Sequence, residues 1–399
     1  MKIITDAKKI EEILTRGVEE VIEKESLLKK LRSGKQLRVK LGIDPTAPDL
    51  HLGNAVVLWK LREFQDLGHI IIFIIGDFTA RIGDPSGKLS ERKTLSEEEI
   101  KRNLKDYQSQ ISKILDLKQT KIVRNSKHLS KVSFAELYRI SHFFSANQIL
   151  ERDMFQKRQQ MGRPIWLHEF FYPIFQAYDS VATQADVEIG GNDQLFNMMM
   201  ARQLQPHFNQ KPQDVMTLKI LVGLDGAQKM SKSLSNYIGI TESSQEQYGK
   251  IMSIRDDMIQ DYYELATRLP MKEIEKVINA ASEGRLHPRD AKVQLAKEVV
   301  TLYHGKAAAE KAAQEFDRVF KKKELPAEMP TVMLPKKEIP ILDLLVKTKI
   351  VPSKSEGQRL VNQSGIKING TVQHDWKKTI VPRSGMILQI GKRRFVKIA

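Results

Sequence analysis

The chain has 399 residues, of which 41% are hydrophobic and 29% charged, a balance typical of soluble globular proteins. Its length predicts two or three domains. It contains no cysteine, which excludes disulfide bonds, thiol catalysis and metal sites built on cysteine. The longest apolar run, residues 70–75, is far shorter than the roughly 18 residues of a transmembrane helix, and the charged N-terminus is unlike a signal peptide. We therefore expect a cytoplasmic protein that does not contact membranes.

The net charge of the chain is +16, which favours a polyanionic partner such as a nucleic acid. The alternative is a basic enzyme that binds no polyanion. The position of the charge along the chain helps to separate these two interpretations.

The first 235 residues alternate between strand and helix patterns. Strands are predicted at residues 37–43, 70–75 and 218–222, and an amphipathic helix at residues 52–67. A strand–helix–strand order implies a parallel sheet with right-handed crossovers. Ligands of such sheets bind at the carboxyl ends of the strands. We therefore predict an α/β fold with a parallel sheet for residues 1–235.

The rest of the chain divides by composition. Residues 236–323 have a helical pattern, in which Pro288 can begin one helix and Gly305 can follow its end. Residues 324–338 are rich in proline, which predicts a semi-rigid linker. From residue 338 to the end, twelve Lys and Arg face four Asp and Glu. This asymmetry predicts a nucleic-acid-binding module at residues 339–399.

The first candidate motif is His51-Leu52-Gly53-Asn54, at the start of the predicted helix. A helix N-terminus presents free N–H groups and the positive end of the helix dipole, both of which suit phosphate. Gly53 allows a nucleotide to approach the backbone closely. Without a function, the same string is a capped helix with an incidental histidine.

The second candidate motif is Lys229-Met230-Ser231-Lys232-Ser233, which follows a glycine-containing segment. Two lysines three residues apart can reach one polyphosphate and neutralise the charge that develops on its oxygens in phosphoryl chemistry. The alternative is a solvated basic loop.

A third string places a phenol, an amide and a carboxylate on one helical face. Tyr172, Gln176 and Asp179 are spaced i, i+4 and i+7. Such groups need partners if they are buried. The alternative is a helix that only packs through its neighbouring aromatic and aliphatic residues.

In this order, the first two strings resemble the HIGH and KMSKS signatures of class I aminoacyl-tRNA synthetases. The string around Tyr172 resembles the tyrosine pocket of bacterial tyrosyl-tRNA synthetases. The segments 190–194 (GGNDQ) and 83–88 (GDPSGK) are similar to further segments of that family. The resemblance extends over nearly the whole chain, because the basic C-terminal segment is similar to a module shared by a ribosomal small-subunit protein and these enzymes.

The resemblance implies a fold and an activity. It implies a class I, Rossmann-like nucleotide-binding domain with a dimer-interface insertion at about residues 110–185, a helical anticodon-binding domain and a small α+β RNA-binding module. The implied enzyme is a tyrosine–tRNA ligase, which activates L-tyrosine with ATP to tyrosyl-adenylate and pyrophosphate. It then transfers tyrosine to the 2′-hydroxyl of the terminal adenosine of tRNA. Mg²⁺ would arrive with ATP, zinc is not expected, and the family resemblance implies a homodimer.

The resemblance also implies roles for individual residues. The implied catalytic residues, which would stabilise the phosphates, are His51, Asn54, Lys88, Arg92, Lys229, Lys232 and Ser233. The implied tyrosine site, with Asp179 as acceptor for the phenol, consists of Asp84, Tyr172, Gln176, Asp179 and Gln194. The implied ATP site consists of Asp44, Thr46, His51, Gly53, Asn54, Gly191, Asp193, Lys229, Met230 and Lys232. The implied RNA-binding residues are Lys354, Arg359, Lys367, Lys377, Lys378, Lys392, Arg393 and Arg394.

Four positions depart from the family pattern. One is Leu41, at a site that is often polar and near the ribose. Asn54 replaces the last histidine of the HIGH signature, and its amide can still donate to a phosphate oxygen. Lys40 stands where many tyrosyl enzymes have a tyrosine that contacts the substrate phenol, so it either pairs with Asp179 or faces away from the pocket. Ser364 stands where glycine is common. Two other classes stay open: a non-catalytic RNA-binding or splicing factor derived from a synthetase, and a tryptophan-specific synthetase.

Overall fold

The computed structural model of the chain describes residues 3–86, 95–320, 329–391 and 394–399. The chain divides into two compact units. The first comprises Met1–Ser243 with Lys250–Tyr303, and the second comprises Ser244–Gly249 with His304–Ala399. This division does not follow the predicted boundary between residues 235 and 236, and the predicted domain limits stay predictions.

Six strands form the central sheet of the first unit, in the order β1-β6-β5-β2-β3-β4. Their bounds are β1 (Val18–Ile22), β2 (Arg38–Ile43), β3 (Ile70–Ile75), β4 (Thr120–Arg124), β5 (Val187–Gly191) and β6 (Asp214–Leu218). All neighbouring pairs are parallel except β1 and β6. The predicted parallel α/β fold is therefore confirmed. The strand predicted at residues 218–222 is wrong, because β6 ends where that prediction begins.

The interior of the sheet is apolar, as the sequence of β3 predicts. Ile71, Ile72, Phe73 and Ile74 are each at most 1% exposed. Each such side chain contributes about 1.5–3 kcal/mol to stability when it is removed from water. This buried centre fixes the position of the strand ends, where polar side chains follow.

Sixteen α-helices precede the C-terminal sheet within the described residues. They are α1 (Ala7–Thr15), α2 (Lys24–Arg32), α3 (Leu52–Asp66), α4 (Glu97–Leu104), α5 (Tyr107–Ile111), α6 (Ser126–Leu129), α7 (Phe134–Ser141), α8 (Ala146–Leu150), α9 (Asp153–Gln160), α10 (His168–Thr183), α11 (Leu195–Leu204), α12 (Ser244–Ile251), α13 (Ile259–Ala266), α14 (Met271–Ser282), α15 (Pro288–His304) and α16 (Lys306–Phe320). Short 3-10 helices occur at Thr79–Arg81, Leu117–Gln119, Asn192–Gln194, Gln205–Phe208, Lys232–Leu234 and Asp256–Met258.

The helix predictions agree with these bounds. The predicted helix at residues 52–67 is α3, and Pro288 begins α15, which ends immediately before Gly305. No helix in the described parts of the chain is long and apolar enough to cross a membrane.

The C-terminal part of the second unit is a small α+β module. Its strands form a five-stranded sheet, in the order β10-β9-β12-β13-β7, and a two-stranded sheet of β8 and β11. The elements are β7 (Thr331–Val332), β8 (Ile339–Pro340), α17 (Ile341–Lys347), α18 (Lys354–Asn362), β9 (Ile366–Ile368), β10 (Thr371–Val372), β11 (Thr379–Ile380), β12 (Ile387–Ile390) and β13 (Arg394–Ile398). Leu344, Leu345, Val361 and Leu388 are fully buried at its centre.

Local backbone chemistry explains two connections in this module. Asn369 and Gly370 both have positive φ, 49° and 81°, and join β9 to β10 as a two-residue hairpin turn, for which Asn-Gly is a preferred pair. Ser364 lies two residues after the end of α18 and has a φ of 56°, the left-handed conformation in which glycine is most common. Part of the predicted proline-rich linker, residues 331–332, forms β7 and pairs with β13.

Candidate active site

A cavity of about 310 Å³ lies at the carboxyl ends of β2, β3 and β5, where ligands of parallel sheets bind. All of the predicted tyrosine-binding residues line it, and so do the predicted ATP-binding residues other than Lys232. These lining residues are Asp44, Thr46, His51, Gly53, Asn54, Asp84, Tyr172, Gln176, Asp179, Gly191, Asp193, Gln194, Lys229 and Met230. The predicted residues Lys88 and Arg92 lie outside the described part of the chain.

His51 occupies the N-cap of α3, and its backbone N–H donates to Asn54 Oδ1 at 3.2 Å. This bond leaves the Asn54 amide N–H₂ as the group that can donate into the cavity. Burial, reinforced by Lys232 and Lys229, lowers the pKa of His51 to about 4. The imidazole is therefore neutral at pH 7. Its Nδ1 is buried and has no hydrogen-bond partner in the described residues, and because His51 lines the cavity, this nitrogen is available to a ligand there.

The start of α3 is joined to a distant part of the chain. The Leu52 N–H donates to the Ile238 carbonyl at 2.9 Å, and the Ile240 N–H donates to the Leu50 carbonyl at 3.0 Å. Residues 238–240 directly follow the lysine-containing loop. The two predicted phosphate-binding motifs are thus held side by side by backbone hydrogen bonds.

Both lysines of the second motif pair with carboxylates at the cavity. Lys229 Nζ lies 2.6 Å from Asp193 Oδ2, and Lys232 Nζ pairs with Asp49. The side chains of the first pair are 39% and 26% exposed, so water and ligands reach them. Ion pairs this exposed contribute little stability. A polyphosphate can therefore compete with the carboxylates for the ammonium groups.

The loop that carries these lysines is held by one asparagine. Asn236 Oδ1 accepts from the Ser231 N–H at 2.8 Å, and Asn236 Nδ2 donates to Asp225 Oδ2 at 2.7 Å. Ser233 is exposed, and its hydroxyl lies 2.9 Å from that of Ser231. Ser233 and Lys232 therefore lie beside the cavity and not in its wall.

Helix α10 turns Tyr172, Gln176 and Asp179 toward the cavity, as their spacing predicts. The Tyr172 hydroxyl donates to Asp44 Oδ2 at 3.0 Å, which ties α10 to the end of β2. Another lining residue, Asp84, accepts through Oδ2 from Gln194 Nε2 at 2.8 Å. Carboxylates and polar oxygens thus surround one end of the cavity, which suits a cationic group.

Asp179 is only 4% exposed, and two donors hold its carboxylate. His128 Nε2 lies 2.6 Å from Oδ1, and Asn125 Nδ2 donates to Oδ2 at 3.2 Å. Because both oxygens are fixed, the carboxylate presents its remaining acceptor positions in a set direction. This is the arrangement that selective recognition of a hydroxyl requires.

Lys40 does not pair with Asp179. Its ammonium group is fully buried and lies 2.9 Å from Glu188 Oε1 and 2.6 Å from Ser180 Oγ. The departure at this position therefore has a specific partner on β5. Of the two alternatives for Lys40, pairing with Asp179 is the wrong one.

Several residues at the site belong to no recognisable sequence motif and were therefore not predicted. Asn125 and His128 follow β4 and reach Asp179, and Arg152 reaches the Asp84 turn by donating to Ser86 Oγ at 2.6 Å. Glu188 offered one signal, a charged residue within an otherwise apolar strand, which must have a partner if it is buried.

The predicted RNA-binding side chains lie on the C-terminal module. Lys354, Arg359, Lys377, Lys378 and Arg394 are exposed, and Lys367 is half-buried. Lys354 pairs with Asp343 at 2.6 Å, and Arg359 pairs with Glu356 at 2.6 Å. Lys392 and Arg393 lie outside the described residues.

Comparison with known proteins agrees with this geometry. The family model described as tRNA synthetases class I (W and Y) matches residues 32–321, and the chain therefore belongs to this family of class I synthetases. A second model, the tyrosine–tRNA ligase SYY-like C-terminal domain, matches residues 321–398. Within the family, the chain belongs with the tyrosine–tRNA ligases.

The similar proteins include the tyrosine–tRNA ligase of Moorella thermoacetica, 50% identical over 97% of this chain and 94% of the relative. The tyrosine–tRNA ligase of Thermotoga maritima is 48% identical over 97% of this chain and 96% of the relative. These similarities support tyrosine–tRNA ligase activity and give no support to the non-catalytic or tryptophan-specific alternatives.

Solved structures share the fold. The tyrosyl-tRNA synthetase of Archaeoglobus fulgidus, crystallised with L-tyrosine, is 26% identical with a TM-score of 0.61, over 77% of this chain and 99% of that protein. A C-terminally truncated mitochondrial tyrosyl-tRNA synthetase of Aspergillus nidulans has a TM-score of 0.64 at 24% identity, over 78% and 94% of the two chains.

Proposed function

We infer that this chain joins L-tyrosine to its tRNA in two steps within the cavity at the strand ends. The inference rests on one observation: residues suited to bind an amino acid and residues suited to bind a polyphosphate line the same cavity. The polar face of α10 supplies Tyr172, Gln176 and Asp179, and the opposite end supplies His51 and Lys229. An amino acid and a polyphosphate can therefore be held next to each other.

The first step needs no nucleophile from the protein. The tyrosine carboxylate attacks the α-phosphorus of ATP in line, the bond to the β-phosphate oxygen breaks, and pyrophosphate leaves. Catalysis then rests on positioning and on electrostatic stabilisation. We propose that the neutral His51, the Asn54 amide and the two ammonium groups of Lys229 and Lys232 stabilise the phosphate oxygens. Mg²⁺ carried by the ATP phosphates would add further positive charge there.

The amino-acid end would be recognised by charge and by a hydroxyl acceptor. We propose that Asp84, Tyr172 and Gln176 hold the ammonium group and that Asp179 accepts the phenol hydrogen. Gln194 would face the carboxylate. On the nucleotide side, Asp193 would bind the ribose, where a Cβ on Gly191 would lie only 2.8 Å from Asp193 Oδ1.

In the second step, the 2′-hydroxyl of the terminal adenosine of tRNA attacks the carbonyl carbon of the mixed anhydride, and AMP leaves. We propose that the basic C-terminal module adds affinity for the same tRNA through phosphate contacts. Its affinity for tRNA should fall as the salt concentration rises. The slope of log affinity against log salt concentration should be roughly −0.7 for each phosphate contact on single strands. Lys378→Gln should remove about one contact and so reduce the size of that slope by about 0.7.

We propose that two copies of the chain form a homodimer in the cytoplasm. The side chains of Phe134, Tyr138 and Leu167 are 85%, 61% and 72% exposed, and all lie in the predicted interface segment, residues 110–185. Phe134 and Tyr138 are spaced i and i+4 on α7 and share one face, and contiguous exposed apolar patches mark interaction sites. Sedimentation of the chain and of a Phe134→Glu variant would test this, with a monomeric variant expected.

The function is tested by exchange of labelled pyrophosphate into ATP in the absence of tRNA, with tyrosine, tryptophan and phenylalanine in turn. Exchange with tyrosine alone is expected. Lys229→Met should abolish it, and Lys211→Met, an exposed lysine outside the cavity wall, should not. Exchange with tryptophan would favour the tryptophan-specific alternative, and no exchange with any of the three would reject the ligase.

A further inference from the structure

Behind the predicted ammonium site lies a buried polar network centred on Glu188. This carboxylate is 1% exposed and accepts from four donors. Oε1 accepts from Lys40 Nζ at 2.9 Å and from Gln176 Nε2 at 3.2 Å. Oε2 accepts from Ser180 Oγ at 3.0 Å and from Gln213 Nε2. Every acceptor position of the carboxylate is therefore occupied.

The ammonium group of Lys40 also has a hydrogen-bond partner for each of its N–H groups. Its side chain is 0% exposed, and its three N–H groups meet Glu188, Ser180 Oγ and the Gln176 backbone carbonyl, the last at 3.2 Å. The pair is electrically neutral as a unit. Breaking one half of such a buried pair is strongly destabilising, whereas replacing both halves by apolar groups is often neutral. Because an apolar pair often stabilises a fold equally well, stability alone does not explain the presence of the Lys40–Glu188 pair.

The network determines which way the Gln176 amide faces. A carboxylate can only accept, so the side of the amide directed at Glu188 must be its N–H₂ group. The carbonyl Oε1 of Gln176 is then turned away from Glu188. Gln176 lines the cavity, so this oxygen is the group that it offers to a ligand.

We propose that the Lys40–Glu188 pair is a positioning device that holds the Gln176 amide with its oxygen toward the substrate ammonium group. The role explains why a lysine can stand at position 40 without contacting the substrate. The pair acts through Gln176: Lys40 does not line the cavity, and the carboxylate of Glu188, which does, is engaged by its four donors. The proposal rests on the ammonium site described under Proposed function.

The test compares two ligands that differ only in the ammonium group. The affinities of the whole chain for L-tyrosine and for 3-(4-hydroxyphenyl)propionate are measured by calorimetry, and their ratio reports the ammonium site. The double variant Lys40→Met with Glu188→Met removes the pair without leaving a buried charge. In this variant Gln176 can still turn its side-chain oxygen toward the ligand, but its N–H₂ group then has no hydrogen-bond acceptor, because Glu188 is gone. The preference for tyrosine should therefore fall about tenfold, the cost of one unsatisfied buried donor.

A matched control removes another ion pair of the same unit, which joins helix α2 to strand β6. Lys30 Nζ pairs with Asp214 Oδ2 at 2.9 Å, and neither residue lines the cavity. Lys30→Met with Asp214→Leu should leave the ligand ratio unchanged. In a Gln176→Leu background, the Lys40/Glu188 double variant should cause no further fall in the ratio, because the pair acts through that amide.

Three results would overturn the proposal, and they are distinguishable. A wild-type chain with no preference for tyrosine over the deamino ligand would refute the ammonium site and, with it, the role of the pair. A normal wild-type preference that survives in the Lys40/Glu188 double variant would refute the positioning role alone. An equal fall in the Lys30/Asp214 control would assign the effect to general loosening of the sheet.

Discussion

Replacing Asp179 by asparagine should weaken the discrimination between tyrosine and phenylalanine by about tenfold to a hundredfold. The carboxylate is 4% exposed and is held by His128 at 2.6 Å and Asn125 at 3.2 Å, so its direction is fixed before a substrate binds. A hydrogen bond to a charged group in such a site is worth about 1.5–3 kcal/mol. The value of kcat/KM for tyrosine should therefore fall about tenfold to a hundredfold.

Pyrophosphate exchange measures this effect for tyrosine and phenylalanine under the same conditions. The tyrosine-to-phenylalanine ratio of kcat/KM should fall by the same factor, because phenylalanine has no hydroxyl to lose a partner. The KM for ATP should stay within about twofold, since Asp179 belongs to the proposed tyrosine site and not to the proposed ATP site.

A neighbouring aspartate supplies the control. Asp77 is 9% exposed and accepts from the Ser126 N–H at 3.0 Å, at the start of the helix that carries His128, but it does not line the cavity. Asp77→Asn should lower stability and leave the substrate ratio intact. If Asp179→Asn lowers kcat/KM equally for both amino acids, the carboxylate is a structural group and not the phenol acceptor.

Three further predictions concern positions outside the tyrosine pocket. Arg152→Met should raise the KM for tyrosine several-fold with little effect on the KM for ATP in exchange assays, because Arg152 holds Ser86, whose N–H donates to Asp84 Oδ1 at 2.9 Å. Burial lowers the pKa of His69 in the folded chain to about 4, from its ordinary value of 6.5. Between pH 6.5 and pH 4 only the unfolded chain therefore protonates His69, so the free energy of unfolding falls as the pH is lowered through that window. His69→Gln should flatten this fall, by up to about 3 kcal/mol in denaturant titrations, and an unchanged acid limb would contradict the assignment. Ser364→Gly should stabilise the C-terminal module by about 1 kcal/mol, because glycine adopts the left-handed backbone at this position without strain. Amide hydrogen exchange in the module should become slower, and faster exchange would refute the prediction.

Local patterns were sufficient to predict the elements that carry the motifs. The face of α10 followed from helical spacing, and the position of His51 at the start of α3 followed from the change of pattern there. The same reasoning misplaced β6, because Asp214 and Thr217 are polar yet at most 1% exposed within that strand. Their burial depends on neighbouring strands and leaves no local signal.

The supporting residues of the site could not be predicted for a related reason. His128 is 51 residues from Asp179, and Lys40 is 148 residues from Glu188. Periodicity describes which residues share a face within one element, whereas these pairs depend on how separate elements meet. A buried charge reveals only that a partner is needed, and not which residue supplies it.

The backbone hydrogen bonds between the start of α3 and residues 238–240 have a consequence for biosynthesis. Leu50 and Ile240 are bonded to each other although 190 residues separate them. Contacts of such long sequence separation form slowly, because closing the long intervening loop costs conformational entropy before the contact is gained. During translation, the N-terminal motif therefore emerges from the ribosome long before its counterpart. A nascent chain cannot assemble the proposed ATP site until residue 240 has left the exit tunnel, so products truncated before that point should not bind ATP in an equilibrium binding measurement.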